Sequence, residues 1–240
     1  MYEPRFYRQG NSKKLKKFNV CYKETDLLVY APLILSEFSY REIRKLRLSL
    51  EDFIEKNPLF ARSLNPLSIR EGMSLEIIDM VKASAKVGVG PMAAVAGVFA
   101  ESLAKKVLKK TDQVIVENGG DIFLKLKEDT KIGIFAGKDS PFSNKLAIAI
   151  KAKQTALGIC TSSGTMGPSL SKGKADIATV ISKSAALADA AATAVANKVQ
   201  DKDDIPNVLD WVKDIEGIKG VLIIKDDKIG VWGELELSKV

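Results

Sequence analysis

Hydrophobic residues recur at helical spacing in five parts of the chain. The longest such pattern covers residues 37–57, where an apolar residue returns every three or four positions and a proline follows the last turn. A second helix is predicted over residues 74–86. A third is predicted after Pro91, because proline is well suited to the first position of a helix. Residues 184–199 predict an alanine-rich helix, and a short helix is expected around Trp211.

Other segments alternate apolar and polar residues with the period of two that is typical of strands. Residues 18–32 predict one or two strands, and residues 113–152 predict three or four strands joined by tight turns. A further strand is expected in residues 173–182, and a hairpin closes the chain in residues 218–237. Helices, a meander, a helix and a hairpin do not form regular βαβ units. The predicted class is therefore α+β, with mixed or antiparallel sheets packed against helices.

Four segments are rich in glycine and small hydroxyl residues: residues 87–94, 117–123, 158–169 and 186–193. Glycine exposes backbone N–H groups and permits close contact, while Ser and Thr add short polar groups, so these segments could form a phosphate or nucleotide pocket. The candidate ligand-contacting residues are Gly88, Gly90, Asn118, Gly119, Gly120, Asp121, Thr161, Ser162, Ser163 and Gly164. The first three segments also have a simpler interpretation as turns or loops, and the Asn-Gly-Gly-Asp sequence is typical of a hairpin.

The alanine-rich helix carries one acid and one hydroxyl on the same face. Asp189 and Thr193 are four residues apart, so their side chains project from neighbouring turns. They either belong to a solvated helix face or contact a ligand. Ala185, Ala192 and Ala196 lie on the same side of the predicted helix, where small side chains would leave room for a phosphate group.

The composition excludes several kinds of site. The chain has no histidine, which excludes Ser-His-Asp and Cys-His catalysis and most zinc and non-haem iron sites. Its two cysteines, Cys21 and Cys160, are too few for a disulfide scaffold. No apolar run is long enough to cross a bilayer, and the first 20 residues lack the apolar core of a signal peptide. We therefore expect a cytoplasmic protein without a membrane association.

Positive charge is concentrated near the N-terminus. Residues 1–70 contain seven arginines and seven lysines against eight acidic residues, whereas the rest of the chain is almost balanced. Such a surface attracts anions, including nucleic acid. Because no nucleic-acid-binding motif accompanies the charge, a solvated basic surface is the favoured interpretation and nucleic-acid binding is not expected.

The four segments, taken in order, resemble the ApbE superfamily, whose members are flavin transferases that move FMN from FAD onto a threonine. The similar stretches are "GVGPMAAVAGVFAE", "VENGGDIFL", "GICTSSGT" and "TVISKSAALADAAATAV". The resemblance implies an ApbE-like fold, and FAD or FMN with Mg²⁺ as the cofactors. It further implies that Asp189 and Thr193 help to hold the magnesium ion beside the FAD pyrophosphate. Magnesium prefers oxygen ligands and commonly bridges phosphates with one or two protein carboxylates.

The chain is more similar still to a compact, functionally uncharacterised prokaryotic and archaeal family related to ApbE, typified by "VGPMAAVAG", "ENGGDIF" and "GICTSSGT-GPS". The His-Ile-Ile-Asp-Pro stretch of the superfamily is replaced here by "GPSLSKGKAD". We expect one ApbE-like domain over residues 1–240. Within it, residues 1–86 match no motif, residues 87–197 carry the motifs, and residues 198–240 form a C-terminal helix and hairpin.

Three functions are compatible with these observations. The first is a pocket for a flavin, a nucleotide or another small anionic ligand, with Mg²⁺ and possible transferase or pyrophosphatase chemistry. The second is a sulfur-handling thiol protein centred on Cys160, unless that cysteine is merely a small buried hydrophobic residue. The third is a binding protein that keeps the scaffold without the reaction. The alanine-rich helices could also form the interface of a homodimer.

Overall fold

The strands form two antiparallel sheets of different size. The computed structural model describes residues 15–137, 140–164 and 173–240. The strands are β1 (Lys16–Tyr22), β2 (Thr25–Ala31), β3 (Val114–Asn118), β4 (Asp121–Lys125), β5 (Thr130–Gly133), β6 (Leu146–Ile150), β7 (Leu157–Ser162), β8 (Ile177–Ser182), β9 (Ile218–Lys225), β10 (Lys228–Gly233) and β11 (Glu236–Lys239). The larger sheet has the order β1-β2-β3-β4-β7-β8-β9-β10, and the smaller one has the order β11-β6-β5.

Every pair of neighbouring strands is antiparallel. The predicted α+β class is therefore confirmed, and of the two sheet types expected, the antiparallel one is correct. The predicted C-terminal hairpin is formed by β9 and β10, and it turns at Asp226 and Asp227. The last strand was not predicted: β11 pairs with β6, some 90 residues earlier in the chain, and this non-local pairing creates the second sheet.

The helices are α1 (Ser36–Lys56), α2 (Leu59–Arg62), α3 (Leu75–Val87), α4 (Val95–Val107), α5 (Ala185–Lys198) and α6 (Ile205–Lys213). The helix expected after Pro91 begins with a 3₁₀ turn over residues 91–94, and the α-helix itself starts at Val95. Among the described residues, no single helix has both the length and the hydrophobicity of a membrane span. The helices Leu75–Val87 and Pro91–Val107 meet both criteria only when joined, across a bend of 106°.

Both faces of the larger sheet are buried at its central strands, whereas the edge strands β1 and β10 keep exposed residues. Ala178 and Val180 of β8 face the core formed with the helices, whereas Ile177 and Ile181 face a second core shared with the smaller sheet. This division follows from the alternation of side chains along a strand. The molecule consequently has helices, a large sheet and a small sheet in successive layers, and β7 and β8 lie in the middle layer.

The alanine-rich helix α5 lies inside the molecule, where small residues allow backbones to approach closely. A Cβ atom on Gly97 of α4 would lie 2.2 Å from the Ala185 carbonyl oxygen, and one on Gly158 of β7 would lie 2.4 Å from the Ala185 Cα. A Cβ atom on Gly173 would likewise clash with the main chain at Ala196. The expectation that these alanines leave room for a phosphate is therefore wrong at Ala185 and Ala196, because the chain's own backbone occupies that space.

The buried alanines also bear on the expected homodimer. The alanines of α5, and Ala100 and Ala104 of α4, are covered within one chain. They are therefore not available as an interface between two copies. The homodimer itself stays a prediction without a surface assigned to it.

Candidate functional site

The Asn118–Asp121 segment forms the hairpin turn between β3 and β4. Gly119 and Gly120 have φ values of +68° and +103°, which residues other than glycine rarely adopt. The Glu117 carboxylate accepts a hydrogen bond from the Gly120 N–H at 2.9 Å. The two glycines are thus explained by the turn, and their further role in ligand binding stays a prediction.

The turn places Asp121 inside the protein at the start of β4. Its carboxylate contacts the Cys160 thiol and accepts a hydrogen bond from the backbone N–H of Thr161. Its other oxygen, Oδ1, is buried without a hydrogen-bond partner among the described residues. Burial raises the pKa of Asp121 well above its usual range, and the nearby charge of Asp189 raises it further.

Asp189 reaches this cluster from the second turn of α5. Its Oδ2 accepts a hydrogen bond of 2.8 Å from the Gly97 N–H in the first turn of α4, where helical N–H groups lack partners within the helix. Burial raises the pKa of Asp189 to about 7, although hydrogen bonds from the Gly97 and Ala96 backbone oppose this shift. Thr193 follows one turn later and is half-buried.

Asp121 and Asp189 are therefore two buried carboxylates in electrostatic contact, held by a strand and a helix. Within the described ranges, neither forms an ion pair with Lys or Arg. No group of three or more Asp, Glu, Cys or His residues in that part of the chain could hold a metal alone. Two carboxylates and a hydroxyl instead fit an ion such as Mg²⁺, which keeps several ligands from water and phosphate.

Asn118 links the turn to the start of α4, the helix whose Gly97 N–H binds Asp189. Its side-chain amide donates a hydrogen bond of 3.2 Å to the Ala96 carbonyl oxygen, next to the Gly97 N–H. The β3–β4 turn, the start of α4 and the second turn of α5 are thereby connected through side chains. The structure thus brings the predicted residues Asn118, Asp121 and Asp189 together.

The end of β7 lies at the same edge of the sheet. Ile159 pairs with Ile122, so Thr161 lies beside the β3–β4 turn. The Thr161 hydroxyl is 2.8 Å from the hydroxyl of Thr179 on β8. Ser162 is buried, and Ser163 continues the chain. The Gly164 N–H donates to the Ala175 carbonyl, and residues 165–169 of this predicted segment lie outside the described residues.

Gly88 and Gly90 have structural explanations. Gly88 ends α3 in the left-handed conformation, with φ at 73°, as glycine commonly does after a helix. A Cβ atom on Gly90 would lie 1.8 Å from the Ser63 carbonyl oxygen, so a side chain there would displace the preceding loop. A contact of either glycine with a ligand stays a prediction.

Cys160 does not have the environment of a reactive thiol. It is fully buried, and its sulfur is 3.5 Å from the Ala185 carbonyl oxygen. Burial raises the pKa of Cys160 well above its usual range, and the charges of Asp121 and Asp189 raise it further. A nucleophilic cysteine needs the opposite shift. The expectation of an exposed, activated Cys160 is therefore not supported, and the interpretation as a small buried residue agrees with the structure.

Two residues of the site were missed in the sequence. Gly97 positions Asp189 through its N–H, and Glu117 closes the turn that carries Asp121. Glycine within a helix is unfavourable by itself, which could have signalled a close contact at Gly97. The sequence contained no signal that Glu117 would bond to its own turn.

Known proteins match this chain in sequence over most of its length. The sequence family described as "AbpE bacteria" matches residues 8–229. The UPF0280 protein MJ1526 of Methanocaldococcus jannaschii is 41% identical over 204 residues, which are 82% of each chain. A UPF0280 protein of Methanocella arvoryzae is 38% identical over 227 residues, covering 93% of this chain and 90% of its own.

Solved structures share the fold at much lower identity. The flavin transferase ApbE from Vibrio cholerae has a TM-score of 0.57 at 13% identity, with 91% of this chain and 97% of that one covered. The flavinyl transferase ApbE of Pseudomonas stutzeri has a TM-score of 0.56 at 11% identity, with 91% and 94% covered. These similarities agree with the resemblance seen in the motifs. The chain belongs to the family described as "AbpE bacteria", whose fold is that of the ApbE flavin transferases.

Proposed function

We propose that the protein binds a phosphate-bearing ligand of the flavin or nucleotide class, together with Mg²⁺, at Asp121 and Asp189. The observation that carries this proposal is the pair of buried carboxylates, one with an oxygen that lacks any partner among the described residues. Burying two acids side by side is unfavourable unless a proton or a cation compensates their charge. A divalent cation would compensate both and would use the free oxygen.

Three residues would hold the ion. Asp121 and Asp189 supply charged oxygens, and Thr193 supplies a neutral one from the turn after Asp189. The Gly97 N–H fixes Asp189 through one oxygen, which limits the rotation of its carboxylate. When bound, Mg²⁺ would neutralise phosphate charge and allow an anionic ligand to approach an acidic pair.

The flavin part of the proposal rests on similarity. The structures with the same fold include two that are titled as flavin or flavinyl transferases, and the Asp and Thr of α5 match the motif to which the ApbE resemblance assigns magnesium binding. Flavin transfer itself is not proposed, because "GPSLSKGKAD" replaces the histidine-containing stretch of the superfamily. No contact in the described residues favours the alternative thiol function of Cys160.

Calorimetric titration tests the proposal. FAD, ADP and FMN are titrated into the protein, each with Mg²⁺ and with EDTA. We expect binding of FAD that requires Mg²⁺ and is weakened at least about tenfold in Asp189→Asn, since a charged ligand to the ion is lost. ADP shares the pyrophosphate of FAD, and FMN shares its flavin, so their affinities tell which part of the ligand is recognised.

Asp210→Asn is a matched control, because Asp210 is an exposed aspartate of α6 that pairs with Lys213. This variant should bind FAD with the affinity of the wild type. An affinity for FAD that is the same in EDTA as in Mg²⁺, or that Asp189→Asn leaves unchanged, would contradict the magnesium site. Absence of binding by all three ligands in the presence of Mg²⁺ would contradict the proposed ligand class.

A further inference from the structure

A pocket opens at the end of the larger sheet's strands that lies opposite the Asp121 cluster. It has a volume of about 650 Å³, within the range of small-molecule sites, and it lies where β8 ends and α5 begins. Ser182 at this end of β8 pairs with Gly158, whereas Ala178 pairs with Ser162 near the Asp121 cluster. The four steps along β8 from Ala178 to Ser182 span roughly 13 Å. The pocket is therefore separate from the proposed magnesium site.

Three lysines from distant parts of the chain line this pocket: Lys86 from the end of α3, Lys183 from the β8–α5 connection and Lys219 from β9. Glu234 is the one acidic residue in the lining. Like charges that converge in this way repel each other, so the arrangement favours an anion between them.

The lysines are available to a ligand. Lys183 is exposed and forms no hydrogen bond or ion pair with another described residue. Lys86 donates a hydrogen bond of 3.3 Å to the Glu216 carbonyl oxygen and lies 3.8 Å from the Glu216 carboxylate, which is 95% exposed. Lys219 lies 3.1 Å from the Glu234 carboxylate, which is 61% exposed. Such exposed pairs are weak, because water competes for both partners, and an anionic ligand can replace them.

The N-terminus of α5 is not the source of the anion preference. The Ala185 N–H already donates to Glu101 at 2.7 Å, and the Leu187 N–H donates to the Ser184 side chain at 3.4 Å. Two of the first-turn donors are thus satisfied within the protein. The lysine side chains therefore supply the positive charge of the pocket.

Part of the wall is apolar and includes an aromatic ring, while Ser182 and Ser184 add hydroxyl groups. Trp232 is half-buried on β10, and Leu187 and Ile218 lie beside it in the lining. A tryptophan face offers a planar surface on which a planar ring of a ligand can stack. The pocket thus combines an aromatic wall for a ring with lysines for a charged group.

We propose that this pocket binds a small planar anion, a heterocyclic ring that carries a phosphate group, as in a nucleoside monophosphate. The site is independent of the Asp121–Asp189 pair and needs no metal ion. Lys86, Lys183 and Lys219 hold the phosphate, and Trp232 contacts the ring.

The two tryptophans of the chain allow a direct test by NMR of the labelled indole N–H groups. AMP is titrated in EDTA and low salt, so that the proposed magnesium site does not contribute. We expect a saturable shift of the Trp232 signal and none of the Trp211 signal, since Trp211 lies on α6 outside the lining. Lys183→Gln should weaken binding about tenfold, as expected for the loss of one charged hydrogen bond.

The controls separate the parts of the proposal. Lys153→Gln changes an exposed lysine outside the pocket, and Asp189→Asn changes the other site; both should bind AMP like the wild type. Inorganic phosphate that binds as tightly as AMP would overturn the role of Trp232. Adenosine that binds as tightly as AMP would overturn the role of the lysines. No shift of Trp232 at 10 mM AMP, or an unchanged affinity in Lys183→Gln, would overturn the whole site.

Discussion

The proposed function depends on two residues, Asp121 and Asp189. Each is buried among apolar groups, and each has a raised pKa whose largest cause is that burial. A carboxyl group in this position holds its proton to higher pH, unless a cation replaces the proton. The same pair can thus stabilise the empty protein in a protonated form and bind a metal ion in an ionised form.

This competition predicts how stability depends on pH without metal. Folded Asp189 keeps its proton up to about pH 7, whereas the unfolded chain loses it near pH 4. The folded state therefore binds more protons between these values, and Asp189 makes the free energy of unfolding fall as pH rises through that window. The fall is on the order of 4 kcal/mol at most, from about 1.4 kcal/mol for each unit of pKa shift.

Chemical unfolding in EDTA at several pH values measures this effect as the difference between wild type and Asp189→Asn. The difference isolates Asp189 from carboxylates with lowered pKa values, such as Glu42, whose contributions have the opposite sign. Asp121 and its neighbours Glu117 and Cys160 are the same in both proteins. Equal pH dependence of the two proteins between pH 4 and 7 would contradict the raised pKa of Asp189.

The two cysteines should react at very different rates with a thiol reagent. Cys21 is exposed, whereas Cys160 is buried with a raised pKa. We expect one thiol to react quickly in the native protein and the second to react only on unfolding in urea. The Cys21→Ser variant isolates Cys160. Rapid reaction of that native variant at neutral pH would restore the thiol hypothesis for this family member.

At the scale of elements, the contact between α4 and α5 sets the position of Asp189. Gly97 is the point of closest approach, because a Cβ atom there would lie 2.2 Å from the Ala185 carbonyl oxygen and 2.8 Å from the Asp189 Cβ. Any side chain at this position must push α4 away from α5. The same displacement would move the Gly97 N–H away from Asp189.

Gly97→Ala should therefore lower the free energy of unfolding by about 1–3 kcal/mol, the usual cost of overpacking a core. Alanine has the higher helix propensity by up to about 1 kcal/mol, so a purely local effect would have the opposite sign. Gly133→Ala is the control, since a Cβ atom on this residue of β5 meets nothing within 4 Å. Urea unfolding that ranked Gly97→Ala as equal to or more stable than wild type would contradict the close packing.

The elements themselves were largely predictable from local pattern. The period of 3.6 identified α1 and α3 to within one or two residues, and the period of two identified β1, β2 and β8. The role of the α5 alanines was not predictable, because small residues fit equally well around a ligand or against a backbone. Only the glycines of α4 and β7, brought opposite Ala185 by the fold, decide between these alternatives.

In the molecule as a whole, two regions of different chemistry lie at opposite ends of the larger sheet's strands. Acidic residues meet at the edge formed by the β3–β4 turn, and lysines meet at the edge where β8 ends. The first grouping follows motifs whose order along the chain resembles that of a known family. The second comprises residues as far apart as Lys86 and Trp232, with no motif to connect them. Sequence periodicity cannot reveal a site of this kind, because only the strand order brings its residues together.

Crystals grown with ADP, and with Mn²⁺ in place of Mg²⁺, would reveal a cation between Asp121 and Asp189. Anomalous scattering locates manganese independently of the ligand. We expect a peak within about 2.5 Å of oxygens from Asp121 and Asp189, a normal range for such ions, with the phosphates of ADP beside it. Manganese bound only elsewhere, or ADP bound with no ion at this pair, would contradict the proposed cation site.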